Sequence, residues 1–278
     1  MPRPDGIGAG RAAVSRVSRF AGLEDGGSRW ISAGTVAVLL LLWWGVTAAG
    51  WVKPLFLPSP AAVAQQFADY LGGRANDLPL WRHLGASLAR VLAAFLLACA
   101  TAIPLGLAMG LSRWARGVLD PALEFYRPLP PLAYLPLIII WLGIDEAPKV
   151  LLIYLSCFAP LALAARSGMR AASPEQLQAA LSMGASRWQL LRHVALPAAL
   201  PEILVGMRIA VGFGWTTLVA AEMVAASSGL GQMVLNASNF LRTDIVLMGI
   251  LVIGGVAWAI DLLMRLAERR LVPWRGRG

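Results

Sequence analysis

Charged residues are scarce in this 278-residue chain: Asp, Glu, Lys and Arg make up 14% of it, against 58% apolar residues. A soluble domain carries about 25% charged residues, because it must cover its core with a polar shell. The composition therefore excludes a soluble protein and predicts one surrounded by membrane lipid. The net charge of +9 does not indicate a nucleic-acid partner, since the charges lie only at the ends of the long apolar runs.

The chain also has few of the residues that hold nucleotides or metals. Its two lysines, Lys53 and Lys149, do not lie in a G-x-x-x-x-G-K-[ST] loop, so the sequence has no phosphate-binding loop of this kind. Its two histidines stand apart, and no H-E-x-x-H or Cys/His cluster occurs. Cys99 and Cys157 lie within apolar runs, which predicts packing residues rather than a disulfide. We predict a non-catalytic protein with no cofactor or metal site of its own.

Six apolar runs approach or exceed the length that a helix needs to cross a bilayer. They occupy residues 30–52, the stretch between Arg90 and Arg113, and residues 128–144, 150–165, 203–221 and 245–264. We predict an all-α membrane protein with six transmembrane helices. For the first run the alternative is a cleaved signal peptide, but its apolar core and positive leader are longer than usual, which favours a retained anchor.

Positive charge is shared unevenly between the connecting segments. With the N-terminus inside, seventeen Arg residues fall on cytoplasmic segments and six Lys or Arg residues fall outside. Positively charged loops stay cytoplasmic, so we predict that both termini are cytoplasmic. The predicted organisation is a disordered tail at 1–28, an external segment at 53–87, a membrane domain at 88–266 and a basic cytoplasmic tail at 267–278. In the external segment, Ser59 and Pro60 predict the start of a short amphipathic helix lying at the interface.

The cytoplasmic loop at 166–202 has the pattern of two short helices rather than of a linker. Ser173 and Pro174 predict an N-cap and a first-turn proline. Gly184 ends this helix, and a second one follows until Pro197 and Pro201 end it. Small residues on the first helix suit docking of another protein's backbone. The alternative is an amphipathic helix that rests on the membrane or on the chain's own spans.

The spacing within this loop resembles the EAA signature of bacterial ABC-importer permeases: Glu-Ala-Ala, three residues, Gly, nine residues, Ile, one residue, Leu-Pro. Here the matching positions are Gln178, Ala179, Ala180, Gly184, Val194, Leu196 and Pro197, with Gln in place of Glu and Val in place of Ile. The resemblance implies the type I permease fold and a coupling helix seated in a cleft of a cytoplasmic ATPase. The implied ATPase-coupling residues are Gln178, Ala179, Ala180, Gly184, Ala185, Ser186, Arg187 and Pro197.

Longer stretches are similar to the permeases for taurine and other organosulfonates within that family. They are residues 126–133, 135–137 and 214–234, LFLPSP from Leu55, and LIYLSCFAP from Leu152. The resemblance implies a homodimer in the bacterial inner membrane, two ATPase subunits that bind ATP and Mg, and a periplasmic solute-binding protein. Permeases for nitrate, bicarbonate and thiamine precursors share the broader pattern.

Candidate pathway residues follow from broken backbone and from polar groups at membrane depth. The prolines between Arg127 and Pro136 prevent a regular helix, and irregular backbone is tolerated there only beside protein or a watery cavity. Intramembrane polar groups are costly and are functional candidates by default. The candidates are Pro128, Pro130, Pro131, Trp215, Thr216 and Glu222. Glu222 has two interpretations: it meets a cavity, or it caps the external segment that follows it.

Other residues of the spans have structural interpretations. Arg208 is expected to reach the cytoplasmic surface or to pair with Glu202, and Asp261 is expected to pair with Arg265 one turn later. Glycines on the second and fifth spans predict close helix packing, at Gly106, Gly110, Gly212 and Gly214. The alternative function, an ion-coupled secondary carrier, calls for acidic or histidine relays and related halves, which the sequence lacks.

Overall fold

The structure is a computed structural model that describes residues 28–74 and 77–273. Within these ranges the regular elements are helices, and five of them are long and apolar enough to cross a membrane. The prediction of an all-α membrane fold is confirmed, whereas the prediction of exactly six spanning helices is not. The tail predicted at 1–28 lies outside the described residues, apart from Ser28.

The chain divides into two compact units, Met1–Ala62 and Val63–Gly278. In the first unit, α1 covers Ser28–Ala48, and Trp43 Nε1 donates a hydrogen bond to the carbonyl oxygen of Pro58 at 3.0 Å. The next helix, α2, covers Pro60–Leu71. Its first turn is capped by Ser59, whose hydroxyl accepts from the backbone N–H of Ala62 at 3.2 Å, as predicted.

The second unit contains the remaining helices. They are α3 (Leu80–Leu111), α4 (Arg113–Tyr126), a 3₁₀ turn (Pro131–Ala133), α5 (Leu135–Leu142), α6 (Glu146–Gly168), α7 (Pro174–Ser182), α8 (Arg187–Leu190), a π turn (Leu191–Ala195), α9 (Leu196–Ala225), α10 (Leu230–Asn239) and α11 (Thr243–Leu271). The central helix is α6, which packs along both α3 and α9. α3 and α6 run in the same direction and α9 runs in the opposite direction, so the end of α3, the end of α6 and the start of α9 share one end of the bundle.

Small residues allow these three helices to approach closely. A methyl group on Gly106 would overlap the backbone carbonyl of Ala162, and one on Gly214 would lie 2.6 Å from Cys157 Sγ. The predicted packing roles of Gly106, Gly214 and Cys157 are therefore confirmed. Gly212 differs, because a methyl group there would meet open space. The hydrophobic effect does not drive helices together within a membrane, and small residues instead allow their backbones to approach closely.

Two spans begin earlier than the charge boundaries predict. α3 begins at Leu80, inside the segment predicted to be external, and α6 begins at Glu146. The charges that marked these boundaries, Arg90 and Lys149, are only 5% and 3% exposed and lie within the helices. They are accommodated because both are paired with carboxylates: Lys149 with Glu146, three residues earlier, and Arg90 with Glu146 and Glu222, which are distant from it in sequence.

Residues 128–144 do not form the predicted spanning helix. The chain turns after Tyr126, forms the short 3₁₀ turn, and then makes only the eight-residue helix Leu135–Leu142. The prolines remove backbone donors at 128, 130 and 131, as expected, whereas Pro136 fits the first turn of α5, where no donor is required. This is the reason that five rather than six long apolar helices are present in the described ranges.

The prediction that Pro197 and Pro201 end a helix is wrong. Helical structure continues from Arg187 to Ala225, with a π turn at Leu191–Ala195 directly before Pro197. The last bond of this turn runs from Leu196 N–H to the Leu191 carbonyl, so the wider turn meets the proline where a donor is lost. Pro201 lies within α9, and interior prolines are tolerated in transmembrane helices because neighbouring groups compensate for the lost bond.

Candidate functional site

The loop that follows α6 forms a compact helix-turn-helix unit whose first helix is α7. Ser173 Oγ accepts from the backbone N–H of Gln176 at 3.3 Å, and Gln176 Oε1 accepts from the Ser173 N–H at 3.1 Å. This reciprocal capping box fixes the start of the helix. Hydrogen bonding from Ser173 lowers the pKa of Glu175, so its carboxylate stays ionised at the positive end of the helix.

Gly184 ends α7 in a left-handed turn. Its φ is +80°, its N–H donates to the Leu181 carbonyl at 2.9 Å, and the Ala185 N–H donates to the Ala180 carbonyl at 3.1 Å. These two bonds form a Schellman motif with glycine at the position that favours φ above zero. The sequence prediction that Gly184 breaks the helix is confirmed with its physical reason.

A second capping box starts α8 only two residues later, which the sequence analysis missed. Ser186 Oγ accepts from the Gln189 N–H at 3.3 Å, and Gln189 Oε1 accepts from the Ser186 N–H at 2.8 Å. The signal was present as Ser-x-x-Gln, the same spacing as at Ser173. Both helix ends at the turn are thus fixed by local hydrogen bonds, which holds the angle between α7 and α8.

The surface of this unit is exposed and partly apolar. Leu181, Met183 and Trp188 are 53%, 82% and 67% exposed, whereas Ala180 is buried. Among the other residues that the motif singles out, Gln178, Ala179, Gly184, Ser186 and Arg187 are exposed, and Ala185 and Pro197 are half-buried. Exposed apolar side chains around an exposed glycine turn are typical of a protein-docking surface.

At the opposite end of the bundle, a buried cluster of charged and polar residues joins α3, α6 and α9. Glu222 is fully buried and accepts from Arg90 Nη1 at 2.7 Å and from Ser87 Oγ at 2.8 Å. Its second oxygen accepts from the backbone N–H of Gly231 at 2.9 Å. A buried carboxylate is stable only with such complete pairing.

Arg90 connects Glu222 to Glu146 and to the loop before α10. Its Nε and Nη2 donate to the two carboxylate oxygens of Glu146 at 2.5 and 2.9 Å, and Nη1 also donates to the Ser228 carbonyl at 2.6 Å. Glu146 in turn accepts from Lys149 Nζ at 2.7 Å. The fork geometry of arginine allows one side chain to hold two carboxylates and the loop before α10.

This geometry decides between the two interpretations of Glu222. Its carboxylate holds the segment that leads into α10 and does not line an open cavity. A methyl group on Gly229 would overlap the carboxylate, which explains why glycine precedes α10. Trp215 is also buried rather than facing a passage, whereas Thr216 is exposed and its hydroxyl donates to the Phe213 carbonyl.

Arg208 does not pair with Glu202. Its guanidinium lies 3.5 Å from Glu268 and 3.8 Å from Asp261, both on α11. Asp261 also pairs with Arg265 at 2.7 Å, as the one-turn spacing predicted. These half-exposed pairs join α9 to α11 near the coupling-loop end of the bundle, so Arg208 has a structural role.

The proline-rich stretch lines a cavity of about 460 Å³. Its wall brings together the turn after α4, the middle of α6 and the first half of α9. Pro128, Pro130 and Pro131 all contribute, as do Ile209 and Phe213 of α9. Trp215, Thr216 and Glu222 are not part of the wall, although Thr216 lies one turn beyond Phe213 on the same exposed face of α9. In the described residues, no cluster of three or more His, Cys, Asp or Glu side chains is placed to hold a metal ion.

The region that contains the capped loop and most of the long apolar helices matches a known family. The profile of the binding-protein-dependent transport system inner membrane component matches residues 102–273. The chain belongs to this family. It is therefore a non-catalytic, multi-pass subunit of the inner membrane that works with ATPase subunits in an ABC transporter.

Relatives of this family member span most of its length. The taurine transport system permease protein TauC of Escherichia coli K12 is 52% identical over 247 residues, which cover 88% of this chain and 90% of TauC. The putative aliphatic sulfonates transport permease protein SsuC of the same organism is 36% identical over 245 residues, 88% of this chain and 90% of SsuC. An inward-facing structure of the MetNI methionine ABC transporter shares the fold, with a TM-score of 0.61 and 16% identity over 68% of this chain and 94% of that one.

Proposed function

We propose that this chain is the permease subunit of an ATP-driven importer of taurine or a related organosulfonate. The support is the 52% identity to a taurine permease and the 36% identity to an aliphatic sulfonate permease, each over nearly nine-tenths of both proteins. The other permeases that share the broader pattern, for nitrate, bicarbonate or thiamine precursors, are alternatives that a substrate test separates.

The observation that carries the mechanism is the exposed glycine turn between α7 and α8. The surface around it, with Leu181, Met183 and Trp188, is apolar and accessible, and both flanking helices are capped. We assign this surface to the cleft of a cytoplasmic ATPase that binds ATP and Mg. ATP binding then biases the helix bundle, because the contacts at this surface differ between the inward-open and outward-open states. The residues assigned to coupling are those from Gln178 to Arg187 that match the motif, together with Pro197.

The assembly is a homodimer of this chain with two ATPase subunits, and a periplasmic solute-binding protein delivers the solute. Both termini lie in the cytoplasm in this arrangement, in agreement with the excess of arginine on that side. The exposed apolar face of α9 around Ile209 and Phe213 is the surface assigned to the second copy. The cavity lined by Pro128, Pro130 and Pro131 then lies beside the interface, on the solute pathway.

Taurine uptake in a strain without its own taurine importer tests this function. The chain is expressed with its ATPase and binding protein, and uptake of radiolabelled taurine is compared with uptake of nitrate, bicarbonate and a thiamine precursor. Taurine-dependent uptake that requires all three components is the expected result. Absence of taurine uptake alongside transport of another solute would overturn the substrate assignment.

The glycine turn supplies a matched pair of variants for the coupling assignment. Gly184 and Gly73 both follow a helix with positive φ, +80° and +64°, and a Cβ at either meets open space. Gly184→Val is expected to lose most taurine uptake while Gly73→Val keeps it, because only the first turn belongs to the docking surface. Equal uptake by the two variants would contradict the coupling role.

A further inference from the structure

The proline-lined cavity carries one fixed charge of each sign. Its wall is mostly apolar, and the charged side chains in it are Arg127, from the turn after α4, and Glu202, from the start of α9. Phenol and hydroxyl groups are the other polar side chains of the wall, from Tyr126, Tyr134 and Ser156. A mainly apolar pocket with a few convergent polar groups is the usual form of a small-molecule site.

Ser156 Oγ donates to the Ile153 carbonyl at 2.7 Å, but the two charged groups and the Tyr134 hydroxyl have no such partner among the described residues. Arg127 and Glu202 make no ion pair among the described residues, unlike Arg90, Arg166 and Arg208 in the same bundle. The hydroxyl oxygen of Tyr134 is buried and has no hydrogen-bond partner in the part of the chain that the structure describes. Buried polar groups are nearly always satisfied, so an unpaired hydroxyl at a cavity wall points to a ligand.

The position of the cavity places it on a route toward the coupling loop. It extends from Leu155 and Phe213, near the middle of α6 and α9, to Ala164 and Glu202, near the ends that connect to the loop. Solute in this cavity would occupy the half of the bundle that the ATPase moves.

We propose that this cavity is a binding site for a zwitterionic aminosulfonate, with Arg127 holding the sulfonate and Glu202 the ammonium group. This inference rests on the proposed function, which supplies the substrate class. A planar guanidinium binds an oxyanion through two parallel hydrogen bonds, and a carboxylate accepts from an ammonium. A pocket with only a cation would select any alkylsulfonate, whereas a pocket with both charges favours the molecule that has both. Arg127 and Glu202 are therefore the groups that distinguish taurine from ethanesulfonate within the membrane.

Protection of an engineered thiol tests the site without the binding protein. The permease–ATPase complex in lipid nanodiscs carries Cys99→Ala and Ser156→Cys, which places a thiol on the cavity wall, while the native Cys157 is fully buried. The alkylation rate with N-ethylmaleimide is measured against rising taurine, ethanesulfonate or ethylammonium. Taurine is expected to protect at roughly ten-fold lower concentration than either single-charge analogue, since each analogue lacks one of the two charge-assisted hydrogen bonds.

Variants identify the two charges. Glu202→Gln is expected to raise the half-protecting concentration of taurine to that of ethanesulfonate, and Arg127→Gln is expected to abolish protection by ethanesulfonate. The controls are Glu124→Gln and Arg113→Gln, which remove exposed charges that do not line the cavity and are expected to change nothing.

The outcomes separate this site from the proposed function. If taurine does not protect the thiol, or protects equally in Glu202→Gln and its parent, the site is wrong even though taurine uptake continues. If the unmodified transporter takes up no taurine, the proposed function fails first. A charge effect on protection together with taurine uptake supports both.

Discussion

Arg90 and Glu222 lie 132 residues apart in the chain, yet their side chains meet at 2.7 Å in the interior of the bundle, where they are 5% and 0% exposed. The pair ties α3 to α9 and, through Gly231 and Ser228, to the first turn of α10 and the segment before it. Removing either side chain leaves the other as an unpaired charge in a low-dielectric interior. We therefore expect a large interaction free energy between the two.

Glu222→Gln is expected to destabilise the protein by about 3 kcal/mol, because it leaves Arg90 buried with one carboxylate fewer. The measurement is thermal unfolding of the purified permease in detergent. The double variant Arg90→Met with Glu222→Gln should recover part of the loss, since no charge is then stranded. As a control, Arg265→Gln removes an exposed partner of Asp261 and should cost at most about 1 kcal/mol. Equal losses for Glu222→Gln and Arg265→Gln would show that the buried pair contributes no more to stability than an exposed pair.

Gly229→Ala is expected to disrupt the same cluster from the backbone side. Gly229 has φ of +130°, and a methyl group there would overlap the Glu222 carboxylate. Gly212→Ala is the control, because its methyl group meets open space on α9. Unfolding midpoints should fall for the first variant and stay within a few degrees for the second. If Gly229→Ala and Glu222→Gln give fully additive losses, the two residues do not act on one cluster.

Gly106→Ala is expected to force α3 away from α6, because the added carbon would overlap the backbone carbonyl of Ala162, which cannot rotate aside. The same substitution at Gly85, on the same helix, meets nothing within 4 Å. Membrane-inserted protein measured by fluorescence of a C-terminal fusion should fall for Gly106→Ala only. Normal abundance and thermal stability of Gly106→Ala would contradict the packing at this crossing.

Ser186→Ala is expected to weaken transport more than it weakens folding. The variant removes one capping box, worth about 1 kcal/mol, from a four-residue helix on the docking surface. ATP hydrolysis that persists while taurine uptake falls is the expected signature. Ser182→Ala is the control, because the Ser182 hydroxyl only donates back to the Gln178 carbonyl one turn earlier. Parallel loss of hydrolysis and uptake in both variants would argue against a specific role for the cap.

The geometry of the loop between α6 and α9 could be predicted from sequence because it is local. Ser173, Gly184 and their spacing determine caps and a turn through bonds between residues at most five positions apart. The buried cluster could not be predicted in this way. Arg90 and Lys149 were counted as external because charge near an apolar run normally marks its end. Glu146 lies only three residues before Lys149, but the tertiary fold alone brings Glu146 and Glu222 to Arg90.

The prolines show the same difference between local and tertiary causes. Those at 128–131 break the helix as their chemistry requires, but Pro197 and Pro201 do not, because a π turn and helix neighbours absorb the missing donors. Whether a proline breaks or merely bends a helix at membrane depth depends on what surrounds it, which composition does not record. The cavity beside residues 128–131 was predicted from irregular backbone alone, whereas its two opposite charges became visible only when α9 was placed against the turn.

The unbroken run from Arg187 to Ala225 contains 39 residues, so a rise of 1.5 Å per residue makes it about 58 Å long. One end carries Trp188 and the glycine turn, and the other end carries Glu222. A tilt of a helix of this length at its Trp188 end also displaces its Glu222 end. The π turn and Pro201 lie near the start of this run, where the helix bends most easily. The buried Arg90–Glu222 pair holds its other end in place. Under the proposed function, a movement of the glycine turn by the ATPase would therefore pass along one continuous helix to the buried Arg90–Glu222 pair.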